Sequence, residues 1–178
     1  MLRKLLDRLY LTAGIIAGVC IVVMALLILA QIVGRWFGII IPSTEDFSGF
    51  LLAAASFLAL AYTLRSGGHI RVSLLVSHLH GRKRFLAELI TLLTGLALSL
   101  YTAWWTALLV LESYEFGEVS SGYIPVPLWI PQIPMTVGLA VLAVALLDEL
   151  WLLLRGDRPH YTRHEETAAV TPTVDAAE

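Results

Sequence analysis

Residues 9–33 read LYLTAGIIAGVCIVVMALLILAQIV, a run of 25 residues without an ionised side chain. As an α-helix with a rise of about 1.5 Å per residue, this run is long enough to cross a hydrocarbon core of roughly 30 Å. The apolar part of a secretory signal is shorter, about 7 to 15 residues, and it ends at a cleavage site. Here the run continues into the polar-aromatic sequence GRWF. It therefore predicts a retained transmembrane helix.

Three more apolar runs follow, at residues 47–64, 85–111 and 128–154. Each has about 18 residues or more, which is enough to span a membrane as a helix. Hydrophobic residues make up 58% of the chain and charged residues only 15%, with a mean hydropathy of +0.79. A soluble domain has about 25% charged residues. The sequence predicts an all-α integral membrane protein with four transmembrane helices, and residues 1–155 form its membrane domain.

Lysines and arginines are distributed unevenly over the segments outside these runs. Eleven of the twelve lie in the amino terminus, in the connection 65–84 or in the tail, and the twelfth is Arg35. Because positively charged segments stay on the cytoplasmic side, both termini are predicted to be cytoplasmic. The segments predicted to be external carry the acidic residues Glu45, Asp46, Glu112, Glu115 and Glu118. The tail, residues 156–178, has no apolar periodicity, so we expect a disordered cytoplasmic tail.

Ionisable groups are almost absent from the middle of the four runs. Such groups are costly inside a membrane and mark ion or proton pathways where they occur. Glu88, Asp148 and Glu149 lie near the ends of their runs, where we expect them to pair with nearby Arg82, Lys83, Arg84 or Arg155. All five histidines lie outside the runs, which argues against a haem held between helices. The single cysteine, Cys20, excludes an internal disulfide. The sequence predicts no cofactor and no metal site.

Small residues recur at helical spacing in two of the runs. Gly14 and Gly18 are four positions apart in the first run, and the third run carries Thr91, Gly95, Ser99, Ala103 and Ala107. In lipid, where no hydrophobic force joins helices, small residues let backbones approach closely. These stripes serve either packing within the chain or docking to a partner, and the sequence leaves both possibilities open.

Four prolines stand before and within the start of the fourth run, at positions 125, 127, 131 and 134. Proline cannot continue a regular helix, and it disfavours the helical conformation of the residue before it. This segment is predicted to be a stiff external connection that leads into the fourth helix.

Residues 66–84, SGGHIRVSLLVSHLHGRKR, combine three histidines with four basic residues. A metal site is disfavoured because His69 and His80 would lie roughly 16 Å apart along a helix, and His78 would point away from His69. A nucleic-acid site is disfavoured because the segment lacks aromatic residues for stacking. Its valines and leucines form a stripe on a helical wheel. It therefore predicts a short amphipathic helix on the cytoplasmic membrane surface, with the basic residues among the lipid headgroups.

Two longer stretches, GRWFGIIIPSTEDFSGFLLAAASFLALAYTLRSGGHIRV and GYIPVPLWIPQIPMTVG, carry a resemblance to a known family. In order and spacing they resemble the small permease subunit of tripartite ATP-independent periplasmic (TRAP) transporters, the DctQ-type family. The residues that match the pattern of this family are Arg35, Trp36, Pro42, Glu45, Asp46, His69, Ile70, Val72, Pro127, Trp129, Pro134 and Gly138. Two departures are the small polar residues in PSTED, where a tryptophan is common, and Asp46, where glutamate is usual.

The resemblance implies a three-part importer in the bacterial inner membrane. In it a periplasmic binding protein captures an organic acid, a large permease subunit moves the acid with a sodium gradient, and the small subunit is a scaffold without catalytic residues. The matched residues then have structural or partner-contact roles, and the external acidic residues help to receive the binding protein. Two alternatives are a stand-alone four-helix transporter or channel, and a membrane enzyme or redox protein that uses His69, His78 and His80.

Overall fold

The computed structural model describes residues 2–66 and 82–155 of the 178-residue chain. This part contains four helices: α1, Leu2–Trp36; α2, Thr44–Arg65; α3, Arg82–Glu115; and α4, Trp129–Leu154. All four are long and apolar enough to cross a membrane, which confirms the predicted all-α membrane fold. The predicted amphipathic helix, His69 and the tail lie outside the described residues.

The helices pack side by side in the order α1, α2, α4, α3. Helix α4 lies between α2 and α3, and it touches α1 only slightly. In the most apolar stretch of α4, 56% of the residues are buried inside the protein, whereas the corresponding value for α1 is 11%. Helices α1 and α3 therefore occupy the two edges of the bundle and present most of their apolar surface to the membrane.

The bundle has two chemically different ends. The end that we call the basic end holds the start of α1, the end of α2, the start of α3 and the end of α4. The end that we call the acidic end holds the opposite termini, with the connections 37–43 and 116–128. Most of the buried hydrophobic side chains of the described residues lie in a cluster nearer the basic end, built from Tyr10, Ala61, Leu64, Leu92, Leu96, Val141, Ala143, Ala145, Leu146 and Leu153.

Small residues account for the closest helix contacts. A Cβ placed on Gly14 of α1 would lie 2.9 Å from the Tyr62 ring of α2, so a larger residue has no room there. Gly95 faces Leu146 of α4, and Ser99, one turn further along α3, is also buried. By contrast, a Cβ on Gly18 would meet nothing within 4 Å. The sequence left open whether these small residues pack within the chain or dock to a partner. Gly14 and Gly95 pack within the chain, and Gly18 does not.

Helix α4 begins at Trp129 and includes Pro131 and Pro134, although proline was expected to stand outside regular helix. Pro131 falls in the first turn, where the backbone N–H groups have no intrahelical partner in any case. Pro134 lies further in and leaves one carbonyl of the first turn without its usual hydrogen bond. The expectation was therefore wrong for these two prolines, while the start of the fourth helix agrees with the fourth apolar run.

Candidate functional site

The described part of the chain offers two polar centres, one at each end of the bundle. At the acidic end, Ser43 precedes α2 with a left-handed backbone, φ 56°. Its hydroxyl accepts a hydrogen bond of 2.9 Å from the backbone N–H of Ile124, which lies 81 positions later. This bond ties the connection 116–128 to the start of α2. Ser43 makes this hydrogen bond while its backbone is in the left-handed conformation.

Asp46 lies at the same junction. Its carboxylate lies so close to Gly122 that a Cβ at position 122 would overlap the Oδ2 atom of Asp46. The Ser43 hydroxyl would lie 3.0 Å from that Cβ. A side chain at position 122 would therefore have to displace the Asp46 carboxylate, which is the end of a flexible side chain. Glu45, its neighbour, is exposed.

The connection 116–128 is folded rather than merely stiff. Val119 and Pro127 form an antiparallel bridge, and the backbone N–H of Leu128 donates to the carbonyl of Glu118 at 3.0 Å. At its base, the buried Ser113 hydroxyl donates to the Glu118 carboxylate at 2.8 Å. These bonds turn the connection into a small hairpin-like lobe at the acidic end.

The matched residues of α4 lie where this lobe joins the bundle. Pro127 belongs to the bridge of the lobe, and the Trp129 ring stands edge-on to the Tyr114 ring of α3 with 5.7 Å between centroids. Pro134 is half-buried one turn further on. Gly138 is buried, and a Cβ there would overlap the carbonyl group of Phe57 in α2. The late motif therefore joins α4 to both of its neighbours.

The early matched residues are placed differently. Arg35 and Trp36 end α1, and both are exposed, Trp36 to 78%. Pro42 is also exposed in the connection before α2. The structure thus separates the motif residues into a packed group, with Asp46, Trp129 and Gly138, and an exposed group at the end of α1. His69 lies outside the described residues.

At the basic end, Arg65 joins three helices. Its guanidinium is 2.5 Å from the Asp7 carboxylate of α1 and 4.0 Å from the Asp148 carboxylate of α4. It also stands over the Tyr10 ring of α1, 5.2 Å from the centroid. The side chains of Arg65 and Asp148 are each only 19% exposed. Arg65 therefore pairs closely with Asp7 of α1 and lies at the limit of ion-pair distance from Asp148 of α4, so it links α2 to both helices.

This centre was not predicted from the sequence. Arg65 was assigned to the membrane topology alone, and the partner expected for Asp148 was Arg82, Lys83, Arg84 or Arg155 rather than Arg65. The Arg155 guanidinium stands over the Trp151 ring at 4.6 Å. One available signal was the position of Arg65 at the end of the second apolar run, directly opposite the start of the first in an antiparallel pair. The expected pairing of Glu88 is confirmed, since Arg84 donates to it at 3.0 Å.

The two centres hold the helices together, and the middle of the bundle carries no charged group. Residues 11–33, 47–64, 89–111 and 128–147 contain no Asp, Glu, Lys, Arg or His. Among residues 2–66 and 82–155, no three His, Cys, Asp or Glu side chains are grouped as a metal ion would require. The polar side chains of the described residues therefore position the helices and form one polar surface at each end of the bundle.

Comparison with known proteins identifies a protein family whose model matches most of the bundle. Residues 24–156 match the family model described as tripartite ATP-independent periplasmic transporters, DctQ component. The match begins inside α1 and includes α2, α3 and α4, with both the acidic lobe and the Arg65–Asp148 contact. A comparison with curated proteins finds no match.

Proposed function

The chain belongs to the DctQ family, the small membrane component of TRAP transporters, and from this membership we propose that it is a non-catalytic scaffold subunit. In this proposal it packs beside a large permease subunit in the bacterial inner membrane. The large subunit carries the substrate and sodium sites, and a periplasmic binding protein delivers an organic acid. Both termini of the small subunit face the cytoplasm, so the acidic end faces the periplasm.

One observation supports the scaffold role above the others. The charged side chains of the described helices stand at the two ends of the bundle, and the long stretches between them contain no charged residue. Carriers and pumps place ionisable or polar groups at mid-depth, where they bind the ion or substrate. The buried core of the described helices consists mainly of alanine, leucine and valine, which pack closely but cannot bind an ion or an organic acid.

The edges of the bundle supply the surface for the partner. Helix α1 presents large apolar side chains along its length, among them Ile15, Val19, Val22 and Leu26, each more than half exposed. Gly18 lies in the same stretch with open space before it. We include in the proposal that an edge of this kind contacts the large subunit, because a glycine on an open helix face allows a partner helix to approach closely.

Co-expression with the large subunit tests the scaffold role. We expect the two chains to co-purify in mild detergent, and we expect sodium-driven uptake by cells to be lost when this chain is deleted. Uptake that survives the deletion, or failure of the chains to co-purify, would contradict the proposal.

Reconstitution tests the competing function of a stand-alone transporter or channel. Liposomes that contain only this chain should show no organic-acid flux above empty liposomes, while liposomes with all components should show sodium-dependent flux. Flux through the chain alone would overturn the scaffold role and favour the alternative.

A further inference from the structure

The turn that ends α1 leaves four large apolar side chains exposed. Trp36, Phe37, Ile39 and Ile40 are 78%, 75%, 60% and 86% exposed, respectively. Contiguous exposed apolar groups of this size mark a surface that is covered by another phase or molecule. We refer to residues 36–40 as the apolar cap of α1.

The apolar cap has a defined backbone conformation. The N–H of Ile39 donates to the carbonyl of Gly34 at 2.9 Å, the N–H of Gly38 donates to that of Arg35 at 3.1 Å, and Gly38 has φ 71°. These two bonds and the left-handed glycine make a Schellman motif, the common hydrogen-bonded end of a helix. The apolar side chains are therefore held outward by the backbone itself.

The height of the cap follows from the contact between α1 and α2. Gly14 of α1 and Tyr62 of α2 are in contact and therefore lie at the same level along the bundle. From this level toward the acidic end, α1 extends 22 residues to Trp36 and the antiparallel α2 extends 18 residues to Thr44. The difference of four residues corresponds to about 6 Å along the helices. The cap thus stands roughly one helical turn beyond the start of α2.

Helix α2 itself indicates where the membrane surface lies. Its charged residues are Glu45 and Asp46 at one end and Arg65 at the other. The 20 residues from Asp46 to Arg65, with 19 rises of about 1.5 Å between them, span about 29 Å, close to the roughly 30 Å of a hydrocarbon core. Each headgroup layer adds about 5–8 Å to that core. From the level of Asp46, α1 rises six residues further to Trp36, about 9 Å, so the cap lies at the outer boundary of the headgroup layer.

The chemistry of the cap and its surroundings agrees with lipid as the covering phase. The exposed apolar face of α1, with Leu29 at 56% and Val33 at 44%, continues directly into the cap without a polar break. Trp36 is a residue type that favours the headgroup boundary, and the exposed Arg35 beside it suits a lipid phosphate.

From these observations we propose that the apolar cap is an interfacial anchor, which inserts Trp36, Phe37 and Ile40 between the lipids of the leaflet at the acidic end. The anchor fixes the depth and rotation of α1, the edge helix with the least burial inside the protein. This inference requires that the four helices span the membrane and that the large subunit of the proposed function leaves residues 36–40 uncovered.

A fluorescent probe in place of Ile40 tests the anchor. The full chain carries Ile40→Cys in a Cys20→Ala background, is labelled with a bimane maleimide and is placed in phosphatidylcholine–phosphatidylglycerol vesicles. The matched control is Ser121→Cys in the same background, an exposed position in the lobe 116–128 at the same end. Lipids brominated near the headgroup report insertion, and iodide in the buffer reports contact with water.

We expect brominated lipid to quench the probe at position 40 several-fold more strongly than the probe at position 121, and iodide to show the reverse order. Strong iodide quenching at position 40 would place the cap in water and overturn the proposal. Quenching by neither agent would mean that protein covers the cap, which also overturns it. Trp36, compared through its Trp36→Phe variant, provides the same test without a label.

Discussion

Gly138→Ala is the substitution for which the structure gives the sharpest expectation. Gly138 packs directly on the backbone of α2, and an added Cβ would lie 2.5 Å from the carbonyl carbon of Phe57 and 2.9 Å from the N atom of Leu58. Ordinary van der Waals contact begins at 3.4 Å. The two helices must therefore separate by about 1 Å at this point, and backbone atoms cannot rotate away as a flexible side chain would.

The cost of this separation follows from overpacking in other well-packed cores, about 1–3 kcal/mol. Alanine also favours helix over glycine by roughly 1 kcal/mol, so a site without a clash would be stabilised rather than destabilised. Because α4 is the central helix and packs on α2 along much of its length, we expect the clash to dominate. A net loss near 1.4 kcal/mol corresponds to a tenfold change in the folding equilibrium.

The assay is reversible unfolding of the purified chain in mixed detergent micelles with increasing SDS, followed by tryptophan fluorescence. Gly95→Ala is the matched control, because it lies on α3 facing α4 and its Cβ would meet Leu146 at an ordinary 3.7 Å. We expect Gly95→Ala to be neutral or slightly stabilising and Gly138→Ala to be clearly destabilising. Equal stabilities for the two variants would refute the reasoning that α2 and α4 touch backbone to backbone.

Two further predictions concern the polar ends of the bundle. Arg65→Gln should lower the free energy of unfolding by about 1–3 kcal/mol, because it leaves the half-buried Asp148 carboxylate without its cation. The control Arg155→Gln, which loses a contact with the Trp151 ring, should lower it less in the same SDS titration. Equal losses for the two variants would contradict the role of Arg65 in joining three helices. Gly122→Ala should displace Asp46 and make the lobe 116–128 sensitive to added protease, whereas Gly122→Ala combined with Asp46→Ala should regain resistance; unchanged cleavage in the single variant would contradict the Asp46–Gly122 contact.

The four helices could be predicted from the sequence because the membrane imposes their length. Each backbone polar group inside hydrocarbon must be bonded within its own helix, so a long run without charges has few other structures available. For this reason the fourth run, residues 128–154, agrees with α4 within a residue, even though it contains two prolines. The family followed from the same stretches, and the match of residues 24–156 confirms it.

The candidate site was predictable only in part. Asp46, Trp129 and Gly138 were singled out as motif residues, but their partners, Gly122, Tyr114 and Phe57, were not. Each of these partners is more than 10 positions away along the chain, and its choice depends on which helices are neighbours. The position of Asp148 illustrates the difficulty, since Arg155 is near in sequence while Arg65 is near in space.

The sequence by itself determined the four membrane-spanning helices of residues 2–66 and 82–155, their apolar character and the family, since these depend on local composition and on the thickness of a bilayer. Only the tertiary structure decided that α4 lies between α2 and α3, that Gly14 faces Tyr62 while Gly18 faces outward, and that Arg65 joins three helices. The physical reason is that every face of a membrane helix is apolar. Hydrophobicity then cannot distinguish the face that packs from the face that meets lipid, and close fit between small residues and a few polar contacts makes that choice.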